Sequence, residues 1–340
     1  MTIFSKQRLG IDLGTAQTLI YLEKKGIVLR EPTVLARNKD TEEILAFGKE
    51  AEELRGRTSE TIELVYPIQN GVIHSFTLTK QLLNHFMKQA AIRRIGRPEV
   101  VICAPSHVSK VERKALVDAI RELGFHRAMI VDEPFAAAIG AGLAIDAPIG
   151  RMIVDIGGGT TDIATISYGE IIDNTTLSLG GNHMNHVISS YIRKEMGMLI
   201  GIRTAETLKI KLGNAFLNAE DQVQYLSIAG RDLAKGVPVK KDVKDSLVAK
   251  ALSEVIDQIV TAIKEILSVT PPELAADILS EGIYLCGGGS LLPRLCERLS
   301  NDIGLPVQLV DAPLDVVAIG AGNLLKKMSI YSRREERKLR

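Results

Sequence analysis

Two stretches of the sequence repeat one pattern: LGIDLGTAQTLIYLE at residues 9–23 and MIVDIGGGTTDIATIS at residues 152–167. Each contains an apolar run, an Asp-x-Gly, a turn of small residues and a second apolar run, which predicts two strands joined by a tight turn. The aspartates Asp12 and Asp155 lie 155 − 12 = 143 residues apart. This separation is too long for a short tandem repeat and indicates two lobes of similar design.

Turns of this composition can hold phosphate. Glycines let backbone N–H groups approach an anion, threonine hydroxyls add donors, and a carboxylate can hold a cation that bridges phosphates. One copy is weak evidence, because such turns are often ordinary hairpins. Two copies facing one cleft would grip a single polyphosphate, with Asp12 and Asp155 holding Mg²⁺ through water. The candidate phosphate-binding residues are Gly14, Thr15, Ala16, Gln17, Thr18, Gly157, Gly158, Gly159, Thr160 and Thr161.

A third glycine-rich segment, LCGGGSLLPRL at residues 285–295, lies between a predicted strand and a predicted helix. No lysine follows at the spacing of a P-loop, and no G-x-G-x-x-G fingerprint with an acid for the ribose is evident. The segment suits a close approach of the backbone to a flat base or sugar. The candidate residues are Gly287, Gly288, Gly289 and Ser290.

The composition restricts the class of protein. The chain has 340 residues, 46% of them hydrophobic and 24% charged, as in soluble globular proteins of about two domains. A net charge of +1 argues against the broad basic field of a nucleic-acid-binding protein, so no such partner is expected. The basic segment SRREERKLR at residues 332–340 is interpreted as a solvated tail, with contact to anionic lipid or an acidic partner as the alternative.

The cysteines and the first residues indicate the compartment. Cys103, Cys286 and Cys296 lie in apolar contexts without metal-ligand spacing, which indicates buried thiols in a reducing compartment. The segment MTIFSKQ at residues 1–7 is too short and polar for a signal peptide, and no run approaches the roughly 20 apolar residues of a membrane span. We therefore expect a cytoplasmic chain.

Strand and helix patterns alternate along the chain, which predicts an α/β fold. Buried strands are predicted at residues 99–105, 152–156 and 282–287. Segments richer in charge and turns follow each hairpin, which predicts a smaller subdomain inserted in each lobe. The first lobe is assigned residues 1–149 (core 1–30 and 67–149, subdomain 31–66), joined by a returning helix at 313–340, and the second residues 150–312 (core 150–181 and 248–312, subdomain 182–247).

Two scaffold helices are predicted from the apolar spacing. The first has a capping box of Ser109 and Glu112 and ends at Gly124. Its apolar face should include Val111, Ala115, Ile120 and Leu123. The second runs from about Val248 to Ser268 with a regular apolar stripe.

Five segments, in chain order, resemble the signatures of the superfamily of actin, sugar kinases and seventy-kilodalton chaperone ATPases. They match its first phosphate turn, first connecting helix, second phosphate turn, adenosine loop and second connecting helix: DLGTAQT (12–18), DEPFAAAIGAG (132–142), DIGGGTTD (155–162), CGGGSLLP (286–293) and PLDVVAIGAG (313–322). Further segments resemble bacterial actins of the MreB group, including Mbl and MreBH: KGIVLREPTVLA (25–36), NGVI (70–73), RTAETLKIKLGNA (203–215) and AGRDLAKGVPV (229–239). The similarity runs from about residue 8 to residue 328.

The resemblance implies an actin-like ATPase fold with ATP and Mg²⁺ between two lobes, each with a ribonuclease-H-like core and a smaller inserted subdomain. It matches Glu133 to the acid that orients the attacking water and Thr160 to a supporting hydroxyl; with Asp12 and Asp155 they form the predicted catalytic set. In phosphoryl transfer the protein contributes mainly positioning and charge neutralisation, so one carboxylate near the attacking water is enough to orient it. The alternative is that Glu133 only caps its helix.

Other positions follow from the same resemblance. Glu206 and Lys209, one helical turn apart, match residues that flank the ribose and adenine. Pro134 suits the first position of the connecting helix. Gly140 and Gly142 are expected to let the two connecting helices cross closely, as a hinge between lobes requires.

The family also implies a cellular role. Its members form ATP-dependent head-to-tail protofilaments, expected here in pairs, on the inner membrane face, where they guide cell-wall synthesis and rod shape together with morphogenesis proteins. Membrane contact is expected from Ile3 and Phe4 at the amino terminus, and from Ile92 and Ile95 in the basic loop AAIRRIGRP at residues 90–98. An ordinary solvated loop is the alternative.

Several residues depart from the family pattern, and they leave the hydrolysis rate and the choice of ATP or GTP open. Asn185 and Asn70 replace aspartate, Ile202 replaces an acid, and Gln17 replaces asparagine. A slow ATPase coupled to filament dynamics is expected. His183 and His186 have a spacing that could hold a metal, but no third ligand is evident.

Two other functions compete with a filament-forming protein. The first is a monomeric regulatory or chaperone-like ATPase of the same fold. A chaperone would need a substrate-binding domain after the ATPase, and only about 18 residues follow PLDVVAIGAGN. The second is a sugar kinase, for which no sugar-binding insert is apparent.

Overall fold

The computed structural model describes residues 7–92, 98–125 and 127–327. The strands in these ranges are, in chain order, β1 (Arg8–Leu13), β2 (Gln17–Leu22), β3 (Gly26–Pro32), β4 (Leu35–Asn38), β5 (Ile44–Phe47), β6 (Ile62–Val65), β7 (Ile68–Gln69), β8 (Val72–Ile73), β9 (Glu99–Ala104), β10 (Arg127–Asp132), β11 (Arg151–Ile156), β12 (Thr161–Ser167), β13 (Glu170–Leu177), β14 (Met198–Leu199), β15 (Tyr225–Asp232), β16 (Pro238–Lys244), β17 (Ile283–Cys286) and β18 (Val307–Leu309).

The α-helices of the same ranges are α1 (Gly48–Glu53), α2 (Phe76–Gln89), α3 (Lys110–Glu122), α4 (Glu133–Gly140), α5 (Gly181–Met196), α6 (Ile202–Leu212), α7 (Asp245–Val269), α8 (Pro272–Glu281), α9 (Leu295–Ile303) and α10 (Val316–Leu324). Short 3₁₀ turns occupy Gly288–Leu291 and Leu325–Lys327. Strands and helices therefore alternate as the sequence predicts.

Two five-stranded sheets carry the molecule, and they have the same design. The first has the order β10-β9-β1-β2-β3 and the second the order β18-β17-β11-β12-β13. In each, an antiparallel three-strand unit pairs through its first strand with a parallel strand that arrives later in the chain. The repeated Asp-x-Gly pattern therefore corresponds to a repeated sheet topology. We call the parts built on these sheets the first and second lobes.

In each lobe, a smaller three-stranded sheet follows the antiparallel hairpin along the chain. The sheet β5-β4-β6 and helix α1 occupy residues 35–65 of the first lobe. The sheet β14-β15-β16 and helix α6 occupy residues 198–244 of the second. Both fall inside the segments predicted as inserted subdomains.

Burial explains why the central strands read as continuous apolar runs. Strands β9, β11 and β12 are buried along their whole length, because helices or other strands cover both faces of each sheet. The predicted strands at 99–105, 152–156 and 282–287 are confirmed to within a residue or two at their ends. Helix α7 presents its predicted apolar stripe to the core of the second lobe, beginning three residues before the predicted start.

The predicted capping box of α3 is present: the Ser109 hydroxyl accepts from the N–H of Glu112, whose carboxylate accepts from the N–H of Ser109. One predicted core position is wrong, because Val111 is 79% exposed. Leu116 and Ile120 define the buried face, and five residues before Leu116 a helix has turned about 140° away from it. Val111 therefore points to solvent.

Helices α4 and α10 cross between the lobes at nearly backbone contact. A Cβ on Gly140 would overlap the carbonyl of Val316, and one on Gly320 would overlap the carbonyl of Ala136. The predicted role of Gly140 is confirmed. Gly142 has no atom near its missing Cβ and a φ of +73°; it ends α4 in the left-handed conformation instead of forming the crossing.

Candidate functional site

The two glycine-rich turns meet at the interface between the lobes. Each is closed by the same hydrogen bond, from Gly14 N–H to the carbonyl of Gln17 at 3.1 Å and from Gly157 N–H to the carbonyl of Thr160 at 2.8 Å. A Cβ on Gly158 would overlap the side chain of Ala16. The turns therefore face each other at van der Waals distance.

A cavity of about 450 Å³ lies between these turns. Sixteen of the predicted site residues line it: Asp12, Gly14, Thr15, Ala16, Gln17, Glu133, Asp155, Gly157, Gly158, Gly159, Thr160, Glu206, Lys209, Gly287, Gly288 and Gly289. The volume lies within the range of small-molecule sites. Residues from five separate parts of the sequence thus converge on one cleft.

Two predicted contacts, Thr161 and Ser290, lie behind the cavity wall. The Thr161 hydroxyl donates to the carbonyl of Leu179 at 2.8 Å, and the Ser290 hydroxyl donates to the carbonyl of Gly287 at 2.6 Å. Both side chains are buried and support the turns that carry the lining residues. The hydroxyl of Thr161, predicted as a phosphate donor, thus satisfies a backbone carbonyl of its own lobe, and that of Thr18 bonds Thr33. Contact of Thr161 and Ser290 with a nucleotide stays a prediction.

Four carboxyl groups line the same cavity, and burial shifts the pKa of three of them, Asp12, Glu133 and Asp155. Burial raises the pKa of Asp12 to about 7 and that of Asp155 to about 8. Burial and the neighbouring Asp162 raise the pKa of Glu133 well above its usual value. Glu133 Oε1 finds no hydrogen-bond partner within the described part of the chain. Three buried carboxyl groups without a matching positive charge call for a cation.

The protein itself contributes little positive charge to this cavity. Lys209 lines it, but its Nζ donates to the carbonyl of Gly181 at 2.9 Å, and burial lowers its pKa. The charge of Arg30 lowers the pKa of Asp12 by less than burial raises it, and Arg30 itself forms an ion pair with Asp315. A divalent cation with oxygen ligands fits this arrangement.

That cation would be held mainly through water. In residues 7–92, 98–125 and 127–327, no three His, Cys, Asp or Glu side chains are grouped as direct metal ligands. Mg²⁺ retains several waters and takes only one or two protein carboxylates. Asp12 and Asp155 fit that requirement.

The amino-terminal end of α5 packs against the second turn, a contact absent from the sequence-based predictions. The N–H groups of Gly181 and Asn182 donate to the carbonyls of Gly157 and Gly158 at 2.9 and 2.8 Å. A Cβ on Gly180 would lie 2.7 Å from the carbonyl of Gly157. The helix therefore begins against the second turn, with its positive dipole end at the cavity. The pair Gly180-Gly181 was the signal in the sequence.

The other end of the cavity is apolar. Leu291, Leu314 and Ile210 line it, and they are 49%, 46% and 70% exposed. Gly287 has a φ of +78°, and a Cβ there would overlap Asp155 Oδ1, so the glycine loop lies directly against β11. This end suits a flat ring, while the turns suit phosphates.

Comparison with known proteins agrees with this geometry. The model of the MreB/Mbl protein family matches residues 6–333. The chain belongs to the MreB/Mbl family. It is 42% identical over 328 residues to the cell shape-determining protein Mbl of Bacillus subtilis (strain 168), an alignment that covers 96% of this chain and 98% of that protein.

Solved structures of two proteins extend the comparison. MreB5 of Spiroplasma citri, bound to ADP or to AMPPNP, is 33% identical with a TM-score of 0.91, over 97% of this chain and 99% of that one. The MamK double helical filament is 25% identical with a TM-score of 0.79, over 95% of this chain and 99% of that one. The predicted actin-like ATPase fold is therefore confirmed.

The departures from the MreB pattern lie mostly outside the cavity. Of Gln17, Asn70, Asn185 and Ile202, Gln17 alone lines it. Asn70 has a φ of +49° in the two-residue turn between β7 and β8, a conformation that Asn and Asp both tolerate. Asn185 is buried in α5, and its Oδ1 lacks a partner among the described residues.

The turn that contains Asn70 reaches both phosphate turns. Its second residue, Gly71, donates its N–H to the hydroxyl of Thr15 at 2.9 Å. A Cβ on Gly71 would lie 3.1 Å from the Thr160 side chain. The β7–β8 hairpin therefore lies over the place where the two glycine-rich turns meet.

Thr160 is held by a buried carboxylate of its own lobe. Asp162 accepts from the hydroxyl of Thr160, and also from the hydroxyl of Thr176 at 2.7 Å. Burial raises the pKa of Asp162 despite these bonds. This bond fixes the orientation of the Thr160 hydroxyl in the cavity that Glu133 also lines.

Other predicted features have different outcomes. Cys103 and Cys286 are buried as predicted, whereas Cys296 is partly exposed. His183 is half-buried and His186 exposed on α5. None of the helices that the structure describes has the length and apolar character to span a bilayer.

The residues predicted to contact a membrane fall into two groups. Ile3, Phe4 and Ile95 lie outside the described residues. Ile92 is half-buried against the core of the first lobe, and its N–H donates to the carbonyl of Met87 at 2.9 Å.

Proposed function

We propose that this chain is an ATP-dependent cytoskeletal protein that assembles head to tail into filaments. The observation that carries the proposal is the pair of matched turns in contact, which face one cavity lined by three buried carboxyl groups. Support also comes from MreB5, which binds ADP and AMPPNP, and from MamK, which forms a double helical filament.

In the proposed complex, the remaining backbone N–H groups of the turns at residues 14–17 and 157–160 donate to the phosphates of ATP, and the positive dipole end of α5 faces these phosphates. Asp12 and Asp155 hold Mg²⁺ through water; when bound, this ion neutralises charge on the phosphates. The base lies at the apolar end, between Ile210 and Leu314.

Glu133 and Thr160 position the water for hydrolysis. Glu133 begins α4 and has a free carboxylate oxygen in the cavity, while the Thr160 hydroxyl is oriented by Asp162. Water attacks the γ-phosphorus, the bond to the bridging oxygen breaks, and ADP and phosphate result. The Glu133 carboxylate accepts the proton that the attacking water loses, and a raised pKa makes this carboxylate a stronger base.

Closure of the cleft links the nucleotide to assembly. Arg203 in α6 donates to the carbonyl of Glu52 in α1 at 2.7 Å, a contact that joins the two inserted subdomains across the cleft. Helices α4 and α10 provide the crossing about which the lobes turn. A head-to-tail contact does not close on itself, so the closed subunits add into an open filament, expected in pairs.

The cellular part of the proposal follows the relatives. Mbl of Bacillus subtilis is a cell shape-determining protein. We place the filaments at the inner face of the cell membrane, where they guide cell-wall synthesis with morphogenesis proteins. Direct membrane contact by Ile3, Phe4, Ile92 and Ile95 remains a prediction.

The test is a sedimentation assay with purified protein, ATP and Mg²⁺, followed by electron microscopy on lipid monolayers. Filaments should pellet with ATP and Mg²⁺ and decorate anionic monolayers. Protein that binds ATP but remains monomeric at high concentration would favour the regulatory ATPase instead. Filaments that form but do not bind the lipid monolayer would contradict only the proposed membrane association.

A further inference from the structure

The apolar end of the cavity is bounded by a short segment, Leu291–Pro293, which we call the base wall. Leu292 is 7% exposed, whereas Leu291 is 49% exposed at the cavity mouth. An exposed leucine gains stability when a flat ring covers it. The position of this wall therefore sets how closely a base can be enclosed.

The residue that follows the wall has a strained backbone. Arg294 has a φ of +60° and a ψ of 14°, the left-handed conformation that crowds the Cβ of any residue other than glycine. It precedes α9 without a side-chain capping bond. Such strain persists only where other contacts hold the residue.

A forked ion pair supplies that restraint. The Arg294 guanidinium bonds both carboxylate oxygens of Asp221, with Nη2 at 2.7 Å from Oδ1 and Nη1 close to Oδ2. Asp221 also accepts from the N–H of Asn218 at 2.7 Å, and these bonds lower its pKa to about 2. The guanidinium carbon lies 5.4 Å from the ring centre of Phe216. Two-point pairs of this kind fix orientation as well as position.

The segment that contains Asp221, residues 213–221, also contacts the base wall at a second point. The N–H of Ala215 donates to the carbonyl of Pro293 at 2.9 Å, and a Cβ on Gly213 would lie 2.9 Å from Leu292. This segment continues directly from α6, the helix that carries Glu206 and Lys209 into the cavity. Both sides of the base end are therefore joined into one unit.

We propose that Arg294 and Asp221 are positioning residues for the base, and that their ion pair holds Leu291–Pro293 at the spacing a purine ring requires. This inference rests on the proposed function, because it takes a nucleotide to occupy the cleft. The pair contributes to binding of the base and leaves the phosphate turns unaffected, since no contact of Arg294 or Asp221 described above reaches those turns.

The experiment compares ATP with inorganic tripolyphosphate, each with Mg²⁺, by calorimetric titration of the full chain. Asp221→Asn should raise the Kd for ATP about tenfold and leave that for tripolyphosphate within about twofold. Arg294→Gly should behave alike, because glycine keeps the left-handed backbone without strain while the forked ion pair and the contact with Phe216 are lost. Asp257→Asn is the matched control: it removes one of the two ion pairs of Arg298 on α9, the other being with Asp302.

Exchange of the two charges provides the rescue. The double variant Asp221→Arg with Arg294→Asp should recover most of the ATP affinity, since aspartate tolerates the left-handed conformation. Equal losses for ATP and tripolyphosphate would mean a general destabilisation and would overturn the inference, as would unchanged ATP affinity in Asp221→Asn. A wild-type chain that binds tripolyphosphate but not ATP, or neither ligand, would instead defeat the proposed function.

Discussion

The two Asp-x-Gly hairpins have the same backbone and different surroundings. In each hairpin an aspartate lies one residue before the end of the first strand and two residues before the first glycine of the turn. Both turns are closed by the same hydrogen bond. Across the hairpin, however, Asp12 faces Leu19, whereas Asp155 faces Asp162. The second lobe therefore holds one more buried carboxylate at the same place in the fold.

The residues that both hairpins share and those that only the second hairpin has suit different tasks, namely ligand binding and hydrolysis. The shared features, glycine N–H groups and one aspartate, are those proposed to hold phosphate and its cation. The added Asp162 bonds Thr160, whose side chain lines the same cavity as Glu133. In the proposed complex, the duplicated turns therefore bind the phosphates from both sides, and the residues that are found in only one lobe act on the reacting end.

The largest expected effect concerns that asymmetric set. Glu133→Ala should lower phosphate release by about 10²–10⁴-fold while ATP affinity stays within a few fold, because the carboxylate orients water and does not hold the nucleotide. Phosphate release and ATP titration measure the two effects. Glu220→Ala, at an exposed position, is the control. Turnover equal to wild type would leave Glu133 as a helix-capping residue.

The contact between the turns is the next feature to break. Gly158→Ala places a methyl group into Ala16, and such overpacking costs about 1–3 kcal/mol, so ATP should bind about 10–100-fold more weakly. Gly201→Ala serves as the control, since its Cβ would meet nothing within 4 Å and its φ is −75°. If both variants bind ATP equally well, the turns do not need their close contact.

A titration sharpens the comparison of the two aspartates. The ordinary pKa of 3.8 is raised in the folded state to about 7 for Asp12 and about 8 for Asp155, so the folded protein holds protons that the unfolded chain releases. Stability of the ligand-free protein should therefore fall as pH rises from about 4, by at most about 1.4 kcal/mol per pH unit for each group.

The two variants should differ at the upper end of this range. Asp155→Asn should remove the part of the fall between pH 7 and 8, whereas Asp12→Asn should leave it. Urea unfolding at pH 6, 7 and 8 in the absence of nucleotide and Mg²⁺ measures both. Superimposable profiles for the two variants would contradict the difference between the lobes.

The smallest effect concerns equivalent threonines after the two turns. Thr161→Val leaves the carbonyl of Leu179 without its donor and should cost about 1–3 kcal/mol. Thr18→Val should cost only about 0.5–1.5 kcal/mol, because Thr33 keeps its bond to the carbonyl of Gly14. Urea unfolding compares them. A larger loss for Thr18→Val would mean that the first turn depends more on its hydroxyls than the second.

Local patterns predicted local structure well. The strand–turn–strand units, the capping box at Ser109 and the buried strand at 152–156 each depend on residues close in sequence, and all are confirmed. Local patterns were insufficient where a neighbour distant in sequence decides the outcome. Thr161 has the composition of a phosphate contact, but the carbonyl of Leu179 takes its hydroxyl. Gly142 resembles Gly140 in its local context, yet only Gly140 lies against α10.

The sequence by itself determined the α/β class, the duplicated turns and the family, because hydrophobic period, turn chemistry and motif order are written locally along the chain. Only the tertiary structure decided which residues share the cavity, which carboxyl groups lose their water, and how Arg294 holds the base wall. Those outcomes depend on contacts between segments tens to hundreds of residues apart, and burial and pairing energies arise only when the lobes have folded together.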